Sequence, residues 1–238
     1  MSIKLDNRVT PSLHPANVTN LPGYDDATKG YVAGAERALK EAYTGVAAVF
    51  DAGEAVKRDL SMTEAGRTIK VDDMAQRVFK KVAALFDTQM ANLSKGIAQI
   101  EEKLNAPVNA RAAHPIAAEI RAYIRAMPES DRPGFVFNAI TRGDLVTAEA
   151  ALAGPSYLCG LTPEGHAALL RKYHEQAAPE EAAKLAVMQG ALKLLGNRGG
   201  MMFTALESAV GAKPHEVQAL RQAKARADKA LTVGLIQN

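Results

Sequence analysis

Residues 25–60, DDATKGYVAGAERALKEAYTGVAAVFDAGEAVKRDL, carry the pattern that sets the fold class. Val32, Leu39, Val46, Gly53 and Leu60 recur every seven residues, and Ala35, Ala42, Val49 and Val56 form a second seven-residue series offset by three. Two such series make the a/d seam of a helix that packs along its whole length. Glu36, Tyr43, Phe50 and Lys57 follow the second series by one position, so Tyr43 and Phe50 widen the seam into a face suited to a bundle. Asp25 and Asp26 suit the positive end of a helix dipole. The small seam residues imply close packing. Gly30, Gly34, Gly45 and Gly53 each cost roughly 1 kcal/mol of helix propensity relative to alanine, so the helix needs a partner. Val32, Ala35, Leu39, Ala42, Val46, Val49, Val56 and Leu60 are therefore the expected seam, for oligomerisation or for packing within one chain.

After it, SMTEAGRTIKV (61–71) offers a capping box, Ser61 with Glu64, and reads as a short connector. A second helix is expected from Asp72 to Asn105, stopped by Pro107. Its apolar positions repeat every eleven residues: Val82, Leu93 and Leu104; Met74, Leu85 and Gly96; Val78, Gln89 and Ile100. That period favours a straight or slightly right-handed path. The two helices predict a hairpin over residues 25–105, each arm about 50 Å long. Before it, residues 1–24 hold Pro11, Pro15 and Pro22 and read as an extended arm.

Beyond a linker at 106–114 the helices shorten, and residues 106–238 are expected to form a multi-helix domain. Pro115 opens a helix ending near Met127-Pro128, and Ser130 or Asp131 with Pro133 opens the next. Gly143 closes that helix, Asp144 caps another running to Leu152, and Thr162-Pro163-Glu164 starts a further one. Pro179-Glu180-Glu181 restarts or kinks the chain, and the helix there is expected to reach Leu195 before Gly196-Asn197, with Gly199-Gly200 as a hinge and a separate helix from Met201 to Val210. Lys213-Pro214 opens the last.

Composition agrees with an all-α protein: a long N-terminal α-hairpin of coiled-coil type plus a smaller multi-helix domain. Of 238 residues 45 are alanine, about 19%, and Trp is absent, which argues against a β-sandwich or barrel. One cysteine, Cys159, builds neither a disulfide framework nor a thiolate zinc site. No run of 18 apolar residues occurs and the N-terminus lacks the apolar core of a signal peptide, which predicts a soluble chain with no membrane partner and no secretion by a signal peptide.

No pattern of catalytic residues emerges. The five histidines form no HExxH and no Cys/His cluster, so neither metal nor cofactor is expected. His166 follows Cys159 by seven residues, but nothing marks a depressed thiol pKa. LGNRGGMMF (195–203) follows a helix, not a strand, and matches no phosphate-binding loop. Arg142-Gly143-Asp144 is a helix stop followed by a cap. Glu101-Glu102 and Glu180-Glu181 read as solvated charge. The formal charge of +3 lies wholly in residues 213–238, where Arg221, Lys224, Arg226 and Lys229 are the candidate nucleic-acid contacts. The same helix carries Val217, Leu220, Ala227 and Leu231 at three- and four-residue spacing, then Val233, Leu235 and Ile236. It either closes the second domain's core or docks on another chain.

Pro155, Tyr157, Leu158, Gly160 and Leu161, followed by Thr162-Pro163-Glu164, give residues 151–181 a form that resembles a segment of uncharacterised helical proteins of bacteria and their phages. The resemblance implies a virion or prophage-encoded structural protein, placed in a virion or in the bacterial or host cytoplasm, and supplies no catalytic residue. The function expected is non-enzymatic: a structural or assembly protein of a bacteriophage virion that associates with copies of itself or with other structural subunits. The alternative is a nucleic-acid-binding or packaging protein using the basic last helix.

Overall fold

A computed structural model describes residues 5–236, with side chains described through residue 232. Helix accounts for 81% of it, with no strand among the described residues, so the all-α expectation holds. The helices are α1 (Ala16–Thr19), α2 (Lys29–Lys57), α3 (Glu64–Ala112), α4 (Pro115–Ala126), α5 (Arg132–Arg142), α6 (Leu145–Leu152), α7 (Pro163–Ala177), α8 (Pro179–Val210) and α9 (Pro214–Ile236), with 3-10 turns at Pro11–Leu13 and Ser156–Leu158. The chain forms two compact units. One takes in the residues up to Leu93 and those from Gly190 onward, and the other is Ser94–Gln189. This differs from a division at residue 105, because both boundaries fall inside long helices, α3 and α8.

In the first unit, α2 and α3 pack antiparallel. Lys81 pairs with Glu41 at 2.6 Å, a Cβ on Gly34 would strike Gln89, and one on Gly45 would lie 2.7 Å from Val78 Cγ1. Glycine at 45 is thus required by the approach of the two helices. Residues 190–210 of α8 supply a third helix, with Gly196 opposite Met90, Phe79 edge-on to Phe203 at 6.0 Å, and Gly53 facing the Ala209 carbonyl. Val32, Ala35, Leu39, Ala42, Val46 and Val49 are buried in this packing within one chain. Val56 is only partly buried, and Leu60 is 93% exposed. Leu60 leaves the seam because α2 ends at Lys57. The following turn is held instead by Asp59, which accepts from the Ser61 N–H and hydroxyl while its carbonyl accepts from Arg67.

The N-terminal segment is not extended. Val9, Leu13 and Val18 are buried, the 3-10 turn and α1 pack on α2, and Arg8 reaches Asp51 at 2.7 Å while lying over the Phe50 ring. The Tyr43 hydroxyl accepts the Asp6 N–H at 2.7 Å and donates to the Asp6 carbonyl, and His14 meets the Tyr43 ring edge-on. Pro11 and Pro15 open short helical turns here, because three apolar side chains repay docking.

Helix α3 starts eight residues earlier than expected, with the Thr63 hydroxyl accepting the Gly66 N–H in place of a Ser61 capping box. It also passes through Pro107. Beside Ile69, its buried positions are Val71, Ala75, Val82, Phe86, Leu93, Ile97, Leu104 and Val108, two eleven-residue series four apart. Pro107 sits on the exposed face between the last two anchors, and their burial offsets the roughly 3 kcal/mol cost of an internal proline. In α8 no helix end or hinge forms at the glycines, because Leu195, Met202 and Leu206 continue one buried stripe across Gly196, Gly199 and Gly200.

The second unit follows its local signals. Thr162 and Asp144 accept the Gly165 and Thr147 N–H groups at their helix starts, and Gly143 ends α5 at φ +74°, the left-handed conformation a side chain would strain. Its core gathers Ile124, Val136, Ile140, Leu152, Cys159, Leu169 and Tyr173, among others.

Candidate interaction surface on the C-terminal helix

Helix α9 begins with Pro214 and is anchored at its first turns. The Lys213 N–H donates to the Glu216 carboxylate, Val217 is buried and Leu220 is partly buried. Arg221 then bridges Asp72 at 2.6 Å and Asp73 at 2.5 Å on α3, and both bonds hold the guanidinium above its ordinary pKa. After Arg221 the helix loses its cover: residues 222–232 are all exposed, with Leu231 at 71%. Val233, Leu235 and Ile236 lie outside the residues whose side chains are described.

Of the four cations expected to meet nucleic acid, Arg221 is committed to two carboxylates and Lys224 pairs with Asp228 at 2.8 Å. Arg226 and Lys229 are exposed and make no ion pair among the described residues. Beside the foot of α9 a groove of about 590 Å³ opens between α3 and α8, lined by Ala75, Phe79, Phe203, Leu206, Val210, Ala212 and Pro214, with Asp72, Asp73, Gln76, Arg77, Lys80 and Glu207 also along it. Phe79 and Phe203 are 38% and 48% exposed. This feature was not read from the sequence. Its one signal was Phe79, which falls outside the eleven-residue apolar series of α3.

The second unit holds a buried polar cluster that sequence reasoning also missed. Glu149, 8% exposed, accepts from the Tyr173 hydroxyl at 2.9 Å and from Arg111 Nε at 3.1 Å. Burial, then the hydrogen bond and charge of Glu149, push the Tyr173 phenol up to about 12. Cys159 donates to the Ala151 carbonyl, and burial raises its thiol to about 11, the opposite of what a nucleophile needs. His166 is engaged with the Leu152 carbonyl at 3.0 Å, so no Cys159–His166 pair forms. These groups make a structural network.

His174 is buried beside Glu101, Tyr173 and the Leu104 carbonyl, and desolvation lowers its pKa below the ordinary 6.5 despite the opposing pull of that carbonyl and of Glu101. The unfolded chain therefore binds this proton more readily than the folded one. The resulting stability is fully present above pH 6.5 and is lost as pH falls through the window below it. Thermal melts of wild type at pH 7.5 and 5.5 should show a drop that is smaller in His174→Gln; equal drops would assign the acid sensitivity to other groups.

Among the described residues no group of three or more His, Cys, Asp or Glu is placed to hold a metal ion, and no helix is long and apolar enough to cross a membrane. A scan against protein-family models, a search of curated proteins and a search of solved structures each return no match for this chain.

Proposed function

We propose that this chain is a non-enzymatic assembly protein, a structural component of a bacteriophage virion, which associates with copies of itself through the outer half of α9. The observation that supports this most is the uncovered run from residue 222 to 232, three turns of helix with Leu231 71% exposed. A helix of this length is marginal in water on its own, and helices in proteins draw most of their stability from packing an apolar face. The seam of α2 is not the contact, since the first six of its eight residues are already covered by the chain itself. The virion assignment rests on the alanine-rich helical composition and on the form of residues 151–181. Nucleic-acid packaging is the weaker reading, because only two of the four candidate cations are without an ion pair.

Sedimentation velocity across a range of concentrations tests the proposal. Wild type is expected to sediment as a dimer or larger at high concentration, and Leu231→Asp as a monomer throughout. A wild type that stays monomeric at every concentration would refute self-association. Tight, steeply salt-dependent binding of duplex DNA, lost on neutralising Arg226 and Lys229, would move the function to packaging.

A further inference from the structure

We infer that the second unit carries a proton-operated elbow: uptake of a proton by His174 releases residues 174–186, the last turn of α7 and the first turns of α8, from α3 while the rest of the unit stays folded. The inference is independent of the self-association proposed above. None of residues 175–186 is buried. His174 is the buried side chain at one end of that stretch, and Val187 is the next one along. Between them the chain breaks at Ala178, whose N–H donates to the His174 carbonyl, and restarts at Pro179. A stretch without buried anchors of its own opens more easily than the core around it.

His174 is 8% exposed and lines a cavity of about 240 Å³ between α3, α7 and α8. The ring faces the Leu104 carbonyl, and its Nε2 is buried with no hydrogen-bond partner among the described residues. In the neutral ring Nε2 is a bare lone pair. A second proton turns it into a cationic donor that has neither an acceptor nor water, which the closed elbow tolerates poorly. No charged group around the cavity reaches it. Glu101 of α3 accepts from the Gln189 amide at 3.0 Å, and on α7 Glu175 lies 3.8 Å from Lys172 while Arg171 adds a like charge. Helix α8 gives the cavity no titratable group, and its Glu181 is shared by Lys103 at 3.0 Å and Lys184 at 3.2 Å, surface pairs that hold the segment weakly. Tyr173 stays in place, because its ring is buried and its hydroxyl donates to Glu149. Swinging outward puts the imidazolium in water at the C-terminal end of α7, where the helix dipole favours a cation.

Hydrogen exchange of the full-length chain, read by mass spectrometry at pH 7.5 and 5.5 and corrected for the intrinsic pH dependence, tests the elbow. Protection of peptides within 174–186 should fall severalfold at the lower pH, toward the roughly tenfold ceiling set by a histidine that titrates normally once released. Peptides from α5 and α6 should keep their protection. In His174→Gln, which takes up no proton, the fall should vanish. An equal fall in α5 and α6, or a fall that persists in His174→Gln, would overturn the inference. Should that variant not fold, NMR titration of the wild-type imidazole decides. A His174 pKa at or above 6.5 overturns the elbow, and one below it, with exchange of 174–186 rising as the ring charges, supports it.

Discussion

Val46→Asp is expected to unfold the unit built from α2, α3 and the second half of α8. Val46 has no exposed surface and sits next to Gly45, where even an added Cβ would strike Val78 of α3. A carboxylate there would have no partner, and burying an unpaired charge costs more than a small unit's margin of stability, on the order of 5 kcal/mol or more. The measurement is urea unfolding followed by circular dichroism, with loss of a large part of the helical signal already in buffer. Leu60→Asp is the control. It belongs to the same seven-residue series in sequence but is 93% exposed, so its stability should stay within about 0.5 kcal/mol of wild type. A folded Val46→Asp, or a destabilised Leu60→Asp, would overturn the packing described for α2.

Arg111→Ala is expected to destabilise the second unit by about 3 kcal/mol. It removes the ion pair of Glu149, whose side chain is 11% exposed, and leaves the carboxylate with the Tyr173 hydroxyl alone. The Arg111 side chain keeps 26% of its surface in water, so water entering the emptied space brings the loss toward the lower end of the range for broken buried pairs. Adding Glu149→Gln should restore part of the stability, because an amide costs less to bury unpaired than a charge. Equal denaturation midpoints for Arg111→Ala and wild type would mean that Glu149 is hydrated without its partner.

Within the second unit the sequence was legible almost element by element. Pro115, Gly143, Asp144, Thr162 and Pro179 each act where they were expected to, because a cap or a proline acts on N–H and carbonyl groups within four residues of itself. The eleven-residue period of α3 was legible for the same reason through Val82, Leu93 and Leu104, whereas the second buried series, Ala75, Phe86, Ile97 and Val108, is not one of those read, and the series of Met74 and of Val78 are only partly buried. The same local signals failed at Pro107 and at Gly196, Gly199 and Gly200, where packing across the chain outweighs a cost of one to a few kcal/mol. The candidate surface was half visible. The apolar and basic positions of the last helix could be read, but its anchor could not, since Arg221 meets Asp72 and Asp73 across almost 150 residues.

What the sequence determined by itself is the all-α class, the positions of the short helices of the second unit and most of the apolar face of α2 and part of that of α3, because these depend on spacing and capping inside a single segment. Which surface covers each face was decided only in the tertiary structure. An apolar stripe is equally satisfied by a neighbour in the same chain or by another copy, and hydrophobic burial has no direction that would tell them apart. The structure gave α2 its partners from α3 and α8 and left the outer turns of α9 uncovered.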